Sequence, residues 1–187
     1  MRMPSRLIPL GALLLCSVAS AHPQGYHQHV RVVVHAERVE VLVVLDVDEG
    51  KRAQLLRAGA DTNADGRLEG EELERLRARL VGLATGRLKV ELSGFTPALR
   101  LQENKINLRD RFTTGTDGLS VAVLLEAPLP KAPSEGMELR VHASSPDRSH
   151  VRVETEQVLE GGGGPSLSRD VRHGEYLSLR LAAPRSL

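Results

Sequence analysis

Two periodicities divide this chain. Val30, Val32 and Val34 share one parity, and His27, His29, Arg31, Val33 and His35 share the other. This predicts a strand over 29–35 with the valines toward a core and the histidines on a solvated face. Residues 38–47 read as a second strand whose centre, 41–45, is apolar on both faces. The two form a hairpin across Ala36 and Glu37, with the second arm fully buried. From 49 onward the period becomes helical. Residues 49–60 contain neither proline nor a β-branched residue and place Ala53, Leu56 and Ala60 at helical spacing. Leu73, Leu76, Leu80 and Leu83 then form a stripe on a run dense in Glu, Arg and Ala. Asp46, Asp48 and Glu49 precede the first helix and are expected to cap it with negative charge.

Strand patterns return after residue 83. Residues 87–92 turn at Ser93-Gly94, 98–108 make one or two strands, and 119–127 make a buried one, followed by Pro128, Pro130 and Pro133. Residues 137–143 and 150–157 alternate as a pair joined by 144–149. Gly161 to Gly164, followed by Pro165, read as a flexible break, and 175–181 as a last strand. Short strands punctuated by turns predict a mainly β chain, an antiparallel Ig-like β-sandwich over 22–187. The helix-loop-helix of 49–83 is inserted within it.

Between the two helices lies D-T-N-A-D-G-R-L-E-G-E-E, residues 61–72. With its flanking helices this run resembles the EF-hand family over about residues 49–83. The resemblance implies a calcium site whose ligands are Asp61, Asn63, Asp65, the carbonyl of Arg67, Glu69 and a bidentate Glu72. The physical reason is coordination. A hard cation that takes six to eight oxygens must be wrapped by a chain that turns back on itself, so that alternate side chains converge. Gly66 stands where the backbone bends sharply, and Leu68 where a side chain points away from the ion. The alternative is an acidic Asx turn that opens a helix; the helical pattern on both sides favours the calcium loop. Hands of this family usually pair through a short β-bridge between their loops. No second D-x-[DN]-x-[DN]-G run occurs in this chain, so the hand is expected to lean on the rest of its domain or to pair with a second copy in a homodimer; a periplasmic protein is the other partner expected of the chain.

Composition narrows the function further. The chain has two Tyr, two Phe and no Trp, too few for the stacking platforms that bind sugars or single-stranded nucleic acid. Residues 1–21 read as a signal peptide: Arg2 and Arg6 are followed by an apolar run, 7–18, and by Ala19-Ser20-Ala21. The protein is expected to be exported, periplasmic or secreted. Removal of that segment takes two arginines and no acids, leaving 23 basic against 24 acidic residues. A net charge near −1 offers nothing to nucleic acid or to an anionic membrane. No later run approaches about 20 apolar residues, so no membrane span is expected in the mature chain. The one cysteine, Cys16, lies in the signal, so no disulfide is expected.

A mature chain would start His22-Pro23-Gln24-Gly25-Tyr26-His27-Gln28-His29. A terminal amine and His22 with His27 or His29 form an alternative site, for Cu(II) or Ni(II). The start at Ala21-His22-Pro23-Gln24-Gly25, the strand end Val43-Val44-Leu45-Asp46 and the Asp-rich insert are similar to the exported N-terminal region of bacterial nickel/cobalt transporter-type membrane proteins. The similarity spans about residues 21–101. It implies an accessory or ancestral periplasmic domain with a metal-facing role at His22; the membrane helices that follow this region in that group are not found in the sequence, so transport by the chain itself is not expected. Catalysis is not expected. There is no G-x-S-x-G, no H-E-x-x-H, no mature cysteine and no glycine-rich phosphate loop between strand and helix. His142, His150 and His173 are scattered.

Overall fold

A computed structural model describes residues 25–109, 111–131, 136–144, 151–157, 171–173 and 176–180. The signal-like stretch 1–21, His22 and the glycine run 161–164 lie outside them. Strands β1 (Tyr26–Val34) and β2 (Arg38–Val47) form the hairpin. It is closed where the His35 N–H donates to the Arg38 carbonyl at 2.9 Å. Helices α1 (Lys51–Ala58) and α2 (Gly70–Thr85) follow. Then come β3 (Lys89–Leu92), β4 (Arg100–Leu108), β5 (Leu119–Pro128), β6 (Glu138–His142), β7 (Val151–Gln157), β8 (Val171–His173) and β9 (Tyr176–Arg180). Among the described residues the chain is mainly β, as its pattern predicts.

The strands build two sheets, one of six in the order β4-β5-β2-β1-β7-β8 and one of three in the order β3-β6-β9. The pairings are antiparallel except that of β1 with β7, which is parallel. Residues 137–143 and 150–157 therefore do not pair as their alternation suggests. β6 joins the small sheet between β3 and β9, and β7 crosses to the large one beside β1. Alternation fixes which face a strand buries but says nothing of the strand it lies beside. β8 has no counterpart in the sequence reading.

One face of the large sheet meets the core. Val30, Val32 and Val34 from β1, Val39, Val41, Val43 and Leu45 from β2, and Val121 and Val123 from β5 join Leu76 and Leu80 of α2 and Leu139 and Val141 of β6 in one apolar cluster. α2 packs on β2 and β5. Gln28, the polar residue on the inward face of β1, donates from Nε2 to the Ala84 carbonyl at the end of α2 at 2.7 Å.

β2 departs from the sequence reading. It alternates like its neighbours, with Leu42 37% exposed and Val44 half-buried on the outer face. The double-faced apolar run at 41–45 arises because Leu42 and Leu124 line a cleft of about 400 Å³ between Arg31, Glu40, Glu103 and Lys105. Glu40 is held below the ordinary carboxylate range by hydrogen bonding to Arg38 at 2.7 Å, assisted by His35. The strand β4 forms the sheet edge and carries a bulge between Leu101 and Glu103.

The helices also differ in detail from their pattern. On α2 the buried line is Glu72, Leu76, Leu80 and Ala84, with Leu73 and Leu83 half-buried to either side. The expected acidic cap of α1 is absent. Its N-cap is Gly50, at φ 123°, with no side-chain cap bond and no acid in the first turn. Asp48 instead accepts the Gly25 N–H at 3.0 Å and lies 3.0 Å from Nε2 of His27. Asp46, on the outer face, stands in register with His27, and partial desolvation pushes its carboxyl above the ordinary value.

Candidate metal centre

The connection between α1 and α2 is shaped by a few local choices. The Asp61 N–H donates to the Arg57 carbonyl at 3.2 Å, so Asp61 leaves α1 directly at its end. Ala64 at φ 59° and Gly66 at φ 81° then curl the backbone through the left-handed region. The Gly66 N–H returns to Oδ2 of Asp61 at 3.1 Å. Asn63 Oδ1 accepts the Asp65 N–H at 2.9 Å, and Asp65 Oδ1 accepts the Arg67 N–H at 2.8 Å, two consecutive Asx turns that keep the curl tight.

Glu72 closes the curl from the first turn of α2. It is 6% exposed, and its Oε1 accepts the Thr62 N–H at 2.8 Å, the Asn63 N–H at 3.2 Å and the Thr62 hydroxyl at 3.1 Å. The Thr62 and Asn63 amides hold its carboxyl below the ordinary carboxylate range, so it stays charged at neutral pH. Carboxylate oxygens of Asp61, Asp65 and Glu72 all lie within 4.8 Å of one another. Asp61 Oδ1 is buried and has no hydrogen-bond partner. Three anionic side chains around one point, one with an orphaned oxygen, repel each other unless a cation stands between them.

Of the six ligands that the sequence suggests, three therefore converge. Asn63 stands beside them, with its Nδ2 donating to Asp65 Oδ2 at 2.9 Å. Arg67 meets the group through its N–H, which donates to Asp65 Oδ1, and its guanidinium lies over the Phe112 ring at 5.5 Å. Glu69 serves as the extended N-cap residue of α2, with its carboxylate 3.5 Å from Arg67 Nε and outside the three-acid group. Leu68 points inward, as its place in the loop predicts, and is fully buried.

Neither the role of Thr62 nor the loop's long-range supports is visible in the local sequence pattern. The Leu68 N–H donates to the Arg111 carbonyl and the Thr113 N–H to the Gly66 carbonyl, each at 2.9 Å, making an antiparallel bridge between Arg67 and Phe112. Arg57, 0% exposed, donates from Nη1 to the Gly115 carbonyl at 3.0 Å. These partners lie more than 40 residues along the chain, where no local pattern reaches.

His27 and His29 are half-buried on the outer face of β1, and His22 lies outside the described residues. Among the described residues, Asp61, Asp65 and Glu72 are the group of three or more His, Cys, Asp and Glu able to share an ion; the histidines belong to none. No described helix is long and apolar enough to cross a membrane.

The donor set is all oxygen, with three charges and no nitrogen or sulfur, which suits calcium or magnesium and not the softer transition metals. Substitution at the curl is a first test. Gly66→Ala meets no clash, since the added Cβ would lie 3.8 Å from Thr113 Oγ1, yet it forces a side chain into φ 81°. The expected cost is about 1 kcal/mol, read as a lower melting temperature in EDTA. An unchanged melt would show that the loop does not hold this backbone.

No model of a known protein family matches the chain, and no curated protein matches it.

Proposed function

We propose that this chain is an exported, non-enzymatic calcium-binding protein, with a single EF-hand over 49–83 carried on an Ig-like β-sandwich. The observation that carries the reading is the convergence of Asp61, Asp65 and Glu72 within 4.8 Å around a buried Asp61 oxygen that lacks a partner. The twelve-residue spacing adds Asn63, the Arg67 carbonyl and Glu69, the last of which reaches such an ion most often through water. Export follows from the charged, apolar and small-residue succession of residues 1–21.

In extracellular modules of this type the ion binds at about 10⁻⁴ to 10⁻³ M and acts as a brace. Here that brace would join α1, α2 and the loop between them. At calcium near 100 times Kd, linkage adds about 2.7 kcal/mol of stability, a large part of the 5–15 kcal/mol typical of a domain. A chain of this length should then melt roughly 5–10 °C higher in calcium than in EDTA. Equal melting temperatures in calcium and EDTA would sink the structural-brace reading.

A further inference from the structure

We propose that the β4–β5 connection, residues 111–118, takes the place of the missing second hand and reads out ion occupancy within one chain. The inference rests on the calcium reading above. Two bonds of the bridge tie the connection to the middle of the ion loop, from Leu68 to Arg111 and from Thr113 to Gly66, each 2.9 Å. This is the β-bridge that a hand otherwise makes with a paired loop, here supplied by a segment with no ligand run of its own.

The same segment is fastened at three further points. Arg57 of α1 holds the Gly115 carbonyl at 3.0 Å. The Gly50 N–H, at the start of α1, donates to the Thr116 carbonyl at 2.7 Å. Gly118 passes so close to the end of β2 that a Cβ would stand 3.0 Å from the Val47 carbonyl oxygen. The connection therefore touches the start of α1, its last turn and the ion loop, and it continues into β5, which pairs with β4 and β2 in the large sheet.

Coupling follows from linkage. An ion that fixes the backbone at Gly66 and Leu68 fixes the acceptor and donor on which Thr113 and Arg111 depend. By reciprocity, a connection already in place spares the ion part of the ordering entropy of the loop. The hand then needs no second copy to complete it, and binding saturates at one ion per monomer.

The test is hydrogen exchange on the full chain in calcium and in EDTA, with calcium affinity measured for two variants. Calcium should slow exchange of the Leu68, Thr113 and Gly50 amides by about tenfold or more. Thr113→Pro, which removes the donor to Gly66, should weaken calcium roughly three- to tenfold, the worth of one net hydrogen bond. Thr113→Ala, which keeps the N–H, should leave affinity unchanged. Thr113→Pro could also disturb folding, and the exchange measurement on the unaltered chain stands independently of it. Calcium binding with unchanged exchange in 111–118, or a calcium-induced dimer with that segment unprotected, would overturn the inference and leave the site standing. No calcium binding at all would overturn both.

Discussion

Glu72→Gln is expected to lower calcium affinity about 100-fold or more while leaving the metal-free protein folded. Loss of a group that merely orients a ligand costs about 10–100-fold in metal affinity, and in the proposed site Glu72 is itself a ligand, at the loop position that binds through both carboxylate oxygens. The substitution separates two roles of the side chain. Its Oε1 collects the Thr62 and Asn63 amides and the Thr62 hydroxyl, and the amide oxygen of glutamine can accept the same bonds. What disappears is the charge and the second anionic oxygen. Titration calorimetry on the variant, with its melting temperature in EDTA, reads both effects. A variant that binds calcium as tightly as the parent would remove Glu72 from the ligand set.

Leu76→Ala carries the largest expected effect on stability. Leu76 is 0% exposed on α2, in the same cluster as Val43, Leu45 and Val121 of the large sheet. Truncation in such a site costs about 2–5 kcal/mol, from lost transfer energy and from the cavity left behind. For a chain of this size that lowers the melting temperature by roughly 5–20 °C. Leu55, 60% exposed on α1, supplies the contrast: Leu55→Ala should stay within about 0.5 kcal/mol. Similar melting of the two variants would mean that α2 is not packed on β2 and β5.

Local pattern made much of this architecture legible. The valines at 30, 32 and 34 fall inward as their parity requires, and α2 buries Leu76 and Leu80 from the stripe the sequence offers. The loop was legible for the same reason, since Asp61, Asp65 and Glu72 are brought together by backbone turns that Asn63 and Gly66 encode locally. What escaped depends on distant partners. The crossing of β7 to lie parallel beside β1, the capture of the loop by 111–118, and the burial of Arg57 against Gly115 all join residues far apart in sequence. Two misreadings were of another kind. Asp48 is spent on Gly25 and His27 and so leaves the cap of α1 to Gly50. The outward Leu42 looked buried because an apolar side chain lining a surface cleft has the same signature as one in a core.

Isothermal titration of calcium into the metal-stripped chain tests the site most directly. Saturation is expected at one ion per chain, with Kd at or below about 10⁻³ M. No heat up to several times that concentration, in a chain that remains folded, would contradict it and leave residues 61–72 an acidic turn between two helices.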